Sequence, residues 1–221
     1  MLWHVIRRVK EMKCGKIIVA TTKRKMDDEI INIAKSLHVN TFRGETNNVL
    51  DRYYKASMRF NGDIIVRITA DCPLIDPNES RKIVDKFLEG GYDYVSNGSQ
   101  TYPNGVSTEC FSFYSLEKAW NESRLRSEKE HVTPYIWKNP DKFRIFILHR
   151  KDKKKLNHLR WSVDYKDDLE FVRKIFSKLY KNNRIFKMND VLRLLKKNPE
   201  LSKINSQHDN NEGYKISLKK D

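Results

Sequence analysis

Among the 221 residues, one stretch constrains the fold most: Asp63-Ile-Ile-Val-Arg-Ile-Thr-Ala-Asp71-Cys-Pro-Leu-Ile-Asp76-Pro77. Ile64, Ile65, Val66 and Ile68 form a short apolar, β-branched run of the kind that makes a buried strand. Pro73 cannot donate to a ladder and pushes Cys72 away from helix, so the strand ends here. Asp71 therefore sits on the turn just past a strand, at the edge where open α/β sheets bind ligands. Two roles are open to it: a carboxylate that holds a hard cation against substrate phosphates, or a cap and turn residue for the helix that begins near Asn78.

The flanking sequence alternates helix and strand. Leu2, Val5, Ile6 and Val9 form a helical stripe. Lys16 to Thr21 reads as a strand and Asp27 to Leu37 as a helix, followed by a short strand at Thr41-Phe42 and a helix over Val49 to Phe60. After the central strand come a helix from Asn78 to Glu89 and a strand from Tyr92 to Ser96. This order predicts an α/β fold with a mixed, mostly parallel sheet sandwiched by helices. Further on, Tyr102-Pro-Asn-Gly105 is a turn and Val106 to Tyr114 a strand that suits antiparallel pairing. Ser115 to Asn121 is a helix capped by Ser115, and Pro134 lies in the first turn of a short helix over His131 to Trp137. Strands are expected at Phe143 to His149 and Leu159 to Val163. Helices are expected at Lys166 to Tyr180 and, capped by Asn189, at Asn189 to Lys197. Residues 1–205 make one domain, and residues 206–221 a polar C-terminal tail.

Composition narrows the function. Hydrophobic residues are 38% and charged residues 33% of the chain, as in a soluble globular domain. No apolar run approaches the ~20 residues that span a bilayer, so no membrane partner is expected. Cys14, Cys72 and Cys110 lie far apart without a C-x-x-C, which fits a reducing cytoplasm rather than a zinc site or disulfide framework. The net charge of +15 is uneven: residues 1–137 carry 21 basic and 18 acidic side chains (+3), and residues 138–221 carry 23 and 11 (+12). The lysines fall on helical patterns and in loops such as Arg150-Lys-Asp-Lys-Lys-Lys155, with no aromatic interleaving. A solvated surface is expected there, not a nucleic-acid site. His4, His38, His149, His158 and His208 have no partners at metal-ligand spacing. Tyr53, Tyr54, Trp120, Trp137 and Trp161 read as core.

Thr69-Ala-Asp-Cys-Pro-Leu-Ile-Asp76 resembles a motif of the sugar nucleotidyltransferases, in the cytidylyltransferase family. The resembling branch is spore coat polysaccharide biosynthesis protein F, related to CMP-KDO synthetases and acylneuraminate cytidylyltransferases. Six further segments match in order: Val19-Ala-Thr-Thr22, Phe42-Arg-Gly44, Val49-Leu-Asp-Arg-Tyr-Tyr54, Tyr94-Val-Ser-Asn97, Glu130-His-Val-Thr-Pro-Tyr135 and Arg160-Trp-Ser-Val-Asp164. The resemblance implies a nucleotide-diphospho-sugar-transferase-like, Rossmann-like fold. It also implies transfer of a nucleoside monophosphate, from CTP above all, to a sugar or sugar acid with release of pyrophosphate, in cell-surface or spore-coat polysaccharide synthesis. It makes Asp71 and Asp164 the ligands of a catalytic Mg²⁺ and is compatible with a homodimer.

The resemblance also spreads the substrate contacts. Arg43 and Arg52 offer guanidinium forks to anionic groups, Thr69 belongs to the central motif, and Asn97, Gly105 and Glu109 resemble the sugar-side pocket. His131 stands where the family has Arg-Glu-His, with Lys129 in place of the arginine. Ser107 replaces an aspartate of the family's Gly-Leu-Asp-Val-Glu, which leaves the acceptor open. Asp167 and Asp168 read as helix-start acids. Two other readings are a glycosyltransferase of the same general fold and a non-catalytic nucleotide- or sugar-binding remnant.

One departure shapes the expectation for activity. The family begins with an apolar strand and a Gly/Arg-rich loop that cradles the triphosphate, and such a unit needs roughly 30 residues. This chain opens inside the helix that follows it. The expectation is an N-terminally truncated reading, inactive alone, in which the strands at Ile17–Ala20 and Ile64–Ile68 are left with unpaired edges.

Overall fold

The computed structural model describes all 221 residues. The first helix, α1 (Leu2–Lys10), buries Val5 and Ile6 as its stripe predicts. It also buries Arg8, whose Nη1 donates to the carbonyls of Ile75 (3.2 Å) and Phe186 (2.8 Å). Strand β1 (Ile18–Thr22), helix α2 (Asp28–Ser36) and strand β2 (Asn40–Gly44) form a parallel βαβ unit, with Ile18 opposite Asn40 and Thr22 opposite Gly44. Helix α3 (Val49–Phe60) is capped by Asn48, which accepts from the Asp51 amide, and ends in a left-handed Asn61.

A second, four-stranded sheet holds β3 (Ile64–Arg67), β4 (Tyr94–Ser96), β5 (Glu109–Ser112) and β6 (Ile145–Ile147) in the order β3-β5-β4-β6. β5 runs antiparallel to both neighbours, and β4 and β6 are parallel. The sheet is therefore mixed, with the antiparallel strand that the alternation at Val106 to Tyr114 predicts. It is also split: β1 and β3 each keep one edge unpaired. Two helices tie the sheets together. α1 touches α2 and packs Val5 against Cys72 and Ile75 beyond β3. α3 touches β1 and β2 and sends Leu50 into the cluster of Ile65, Tyr94 and Phe111.

Helix α4 (Pro77–Leu88) buries Ile83 and Phe87 against the other face of the second sheet, beside Val95 and Cys110. Helices α5 (Phe113–Glu122), α6 (Arg126–His131) and α7 (Pro134–Trp137) cover the first face. Helices α8 (Lys166–Leu179) and α9 (Met188–Lys197) bring the largest cluster, in which Trp161, Phe171, Ile175, Met188 and Val191 are fully or almost fully buried. Helix α10 (Glu212–Leu218) packs on α6.

Several local expectations are corrected. Ser112, not Ser115, caps α5, because β5 already ends at Ser112 and Ser112 Oγ accepts from the Ser115 amide at 3.0 Å. Asn189 lies inside α9, and it is Asp190 that accepts from the Lys187 amide at 2.8 Å. Leu159 to Val163 makes only the bridge of Arg160 to Asn104 instead of a strand. Residues 126–131 form α6, which their charged sequence hides. The stretch read as a polar tail ends in α10, with Asp221 accepting from the Ser127 amide (2.7 Å) and hydroxyl (2.6 Å). Trp120 and Trp137 are partly exposed, while Trp161 is fully buried.

Candidate active site

Beyond β3 the chain passes Asp71 and reaches Asp76, and the two carboxylates have different fates. Asp76 takes the capping role: Oδ1 accepts from the amides of Asn78 (2.8 Å) and Glu79 (3.3 Å), and Oδ2 from that of Met188 (2.6 Å). That leaves Asp71 free. Its half-buried side chain accepts only the Cys72 thiol, at 3.4 Å. Its backbone carbonyl accepts from the Val163 amide at 2.9 Å, which sets Asp164 beside it. Asp164's carboxyl is raised above the usual carboxylate range, first by burial and next by the charge of Asp71. The structure thus brings together two acids that lie 93 positions apart (164 − 71).

Asp164 is held by a polar corner. Arg160, 3% exposed at its side chain, donates Nε and Nη2 to the fully buried Asp168 (2.9 and 3.1 Å) and Nη2 also to Asp164. Asp168 accepts the amides of Asp164 and Tyr165 (3.0 Å each) and Nδ2 of Asn205 (2.8 Å). It is more than a helix-start acid: it fixes the turn that presents Asp164. No group of three or more His, Cys, Asp or Glu side chains is gathered in a metal-binding arrangement. Two carboxylates on adjacent backbone, one almost without hydrogen bonds, suit a cation such as Mg²⁺ that keeps most of its ligands from water and phosphate.

The acceptor-side candidates divide into tied and open groups. Asn97 is fully buried, with Nδ2 on the Val106 carbonyl (3.1 Å) and Oδ1 on the Thr108 amide (2.7 Å), so it clasps the loop that carries Gly105. Gly105 has φ +93°, and a Cβ there would lie 2.5 Å from the Ser162 nitrogen; glycine is required by this backbone crossing. Thr69 Oγ1 meets Cys72 Sγ at 3.1 Å. Arg43 donates to the carbonyls of Thr22 and Arg24 and to Asp28, closing the β1–α2 loop. Arg52 gives one nitrogen to the Glu45 carbonyl at 2.8 Å, and its buried Nε has no partner.

Glu109 lies opposite Arg67 in the β3–β5 register and pairs with it. Its Oε1 accepts the hydroxyls of Tyr94 (2.6 Å) and Thr133 (2.5 Å). Thr133 is delivered by Val132, whose φ of +74° is rare for a β-branched residue and costs of order 1–3 kcal/mol. Arg67, Glu109, Arg52 and Asp71 all act on the Tyr53 hydroxyl, which burial pushes up in pKa. His131 is lowered by burial, its Nε2 lies 3.1 Å from Ser217 Oγ, and its ring meets Tyr214 edge-on. Sequence reasoning missed Arg67, although it lies four residues before Asp71 in the organising strand; the signal was a charged residue inside an apolar run. A cleft of about 400 Å³ opens nearby between Thr46, Asn47 and Val49 before and in α3 and Arg126 and Glu130 of α6.

Known proteins are similar to this chain in sequence and fold. The uncharacterized protein MJ1063 of Methanocaldococcus jannaschii is 39% identical over 202 residues, 90% of this chain and 81% of that protein. The spore coat polysaccharide biosynthesis protein SpsF of Bacillus subtilis is 25% identical over 187 residues, 83% of this chain and 76% of SpsF. The structure of a cytidylyltransferase from Leptospira borgpetersenii superposes with a TM-score of 0.85 at 33% identity, covering 90% of this chain and 84% of that one. The cytidylyltransferase family profile matches residues 1–190. The chain belongs to the cytidylyltransferase family.

Proposed function

We propose that this protein transfers CMP from CTP to a sugar or sugar acid, releasing pyrophosphate, in the synthesis of a surface polysaccharide. The observation that carries the reading is the pair Asp71 and Asp164. Asp71 is spared every capping duty by Asp76 and stands beside Asp164 past the end of β3. Membership of the cytidylyltransferase family and the similarity to SpsF support the nucleotide and the polysaccharide context.

In this reading the two aspartates hold Mg²⁺, which supplies charge neutralisation at the phosphates when bound. The protein's own part is positioning. Arg160 and Asp168 keep Asp164 in place, the partnerless Nε of Arg52 offers a donor to an anionic group, and the cage around Glu109 shapes the acceptor side. His131, lowered in pKa, acts as a neutral hydrogen-bonding group and not as a cationic clamp.

The test is pyrophosphate release from CTP, UTP, ATP and GTP with Mg²⁺ and a panel of sugars and sugar acids. CTP-specific release supports the reading. Release of UDP or CMP from a nucleotide sugar, in place of pyrophosphate from CTP, replaces it with glycosyl transfer.

A further inference from the structure

Helix α10 reaches the acceptor side through one hydroxyl. Ser217 is buried, with Oγ 3.1 Å from Nε2 of His131, 2.9 Å from Oε2 of Glu130 and 3.0 Å from the Gly213 carbonyl. The direction of each bond follows from counting hydrogens. A serine hydroxyl has one hydrogen, and the carboxylate and the carbonyl can only accept. The carboxylate is the strongest acceptor of the three neighbours, because its bond is charge-assisted. Ser217 Oγ then turns a lone pair to the imidazole, and its contact with His131 is a hydrogen bond only when Nε2 carries the ring proton. The Gly213 carbonyl acts on the ring in the same sense, as an acceptor.

Fixing Nε2–H defines the other nitrogen: in a neutral ring, Nδ1 is then an unprotonated acceptor. Burial and Arg67 outweigh Glu130 and Glu109, so the ring's pKa lies below its usual value. Nδ1 makes no hydrogen bond within the protein, and unlike Nε of Arg52 and Arg67 it is open to solvent. Two contacts hold the arrangement from α10. Tyr214 meets the His131 ring edge-on at 5.1 Å, and Asp221 clasps the start of α6 through the Ser127 amide and hydroxyl. α6 ends at His131, and two residues later Thr133 donates to Glu109. α10 lies beyond residues 1–190, the stretch that the family profile matches.

We propose that Ser217 is a positioning residue for nucleotidyl transfer: it holds His131 with Nε2 protonated, so that Nδ1 accepts a hydrogen bond from a hydroxyl of the sugar acceptor. The proposal rests on the nucleotidyl-transfer reading above and gives α10 a part in it.

Nitrogen NMR of the full chain with isotope-labelled histidine tests it without substrate, at a pH above the ring's pKa. His131 is assigned by the loss of its signals in His131→Gln. Wild type shows Nδ1 as a wholly unprotonated ring nitrogen and Nε2 as a protonated one. Ser217→Ala moves both toward the averaged positions of a free neutral imidazole. Ser217→Thr, which keeps the hydroxyl, restores them, and melting curves establish that the variants are folded.

Kinetics use CTP, Mg²⁺ and the sugar or sugar acid that gives the fastest pyrophosphate release in the panel above. Ser217→Ala raises the KM for that acceptor by about 5-fold, as the weakening of one neutral hydrogen bond requires, and leaves the KM for CTP unchanged. His131→Gln reproduces Nε2 but not Nδ1 and raises the acceptor KM at least as much. The double variant S217A/H131Q is no weaker than H131Q, because Ser217 acts through His131. A wild-type ring with Nδ1 protonated overturns the proposal, as does an unmoved ring in Ser217→Ala or an equal rise in both KM values. The expected ring state without any pyrophosphate release removes the nucleotidyl-transfer reading and leaves the Ser217–His131 arrangement standing. Release from CTP with the opposite ring state does the reverse.

Discussion

Two aspartates near one another in space, Asp71 and Asp168, show how the chain separates holding from acting. Asp168 is fully buried and saturated by a guanidinium, two amides and a carboxamide. Asp71 is half-buried and has one thiol. Asp168 thus belongs to the architecture, whereas the solvation of Asp71 is left for a ligand to complete. Val163 and Asp164 join the two regions: their amides reach Asp71's carbonyl and Asp168's carboxylate in turn.

The hardest blow to this contrast is Asp168→Ala. It leaves the buried Arg160 only the half-exposed Asp164 and the Asp209 carbonyl, strips Asn205 and two amides of their acceptor, and should cost about 3 kcal/mol in denaturant unfolding. The same truncation at Asp71 should leave stability within about 0.5 kcal/mol, because its one partner, the Cys72 thiol, keeps Thr69 Oγ1. Equal costs at the two positions would erase the distinction.

Titration sharpens it. Burial alone would raise Asp168, but hydrogen bonds from Arg160, Asn205 and the Asp164 and Tyr165 amides overcome that and hold its carboxyl low. The stability it lends is full above an unfolded value of about 4 and is lost as pH falls through the lowered folded value. Asp164 is raised, by burial and then by Asp71. Protonation therefore favours the fold there, and its contribution declines as pH rises from about 4 through the raised value. In metal-free protein, carboxyl-carbon NMR should show Asp71→Asn lowering the Asp164 pKa and leaving Asp168 where it is. An unmoved Asp164 would mean that the two acids do not sense each other.

Arg43 gives a smaller effect. Its three donating nitrogens are bound to Thr22, Arg24 and Asp28, so Arg43→Ala should lower stability by about 1 kcal/mol and leave the affinity for CTP unchanged. Loss of CTP affinity at unchanged stability would return Arg43 to the substrate contacts.

The sequence made the helices legible where periodicity was strong, as at α3, whose bounds match the reading of Val49 to Phe60. It placed Asp71 past a strand end because Pro73 must stop the ladder. It could not place what depends on long-range partners. Asp76 rather than Asp71 became the cap because Met188, 112 positions away, completes its shell. Asp168 read as a helix-start acid because nothing local announces Arg160 and Asn205. Arg67 was hidden because a charge in an apolar strand has no meaning until Glu109 is seen across the ladder.

The most direct test of the central claim is one variant measured twice. Asp71→Asn is assayed for CTP-dependent pyrophosphate release and melted alongside wild type. The account predicts that Mg²⁺-dependent turnover disappears while Tm stays nearly unchanged. Retained turnover, or a variant that loses activity only because it unfolds, would contradict it.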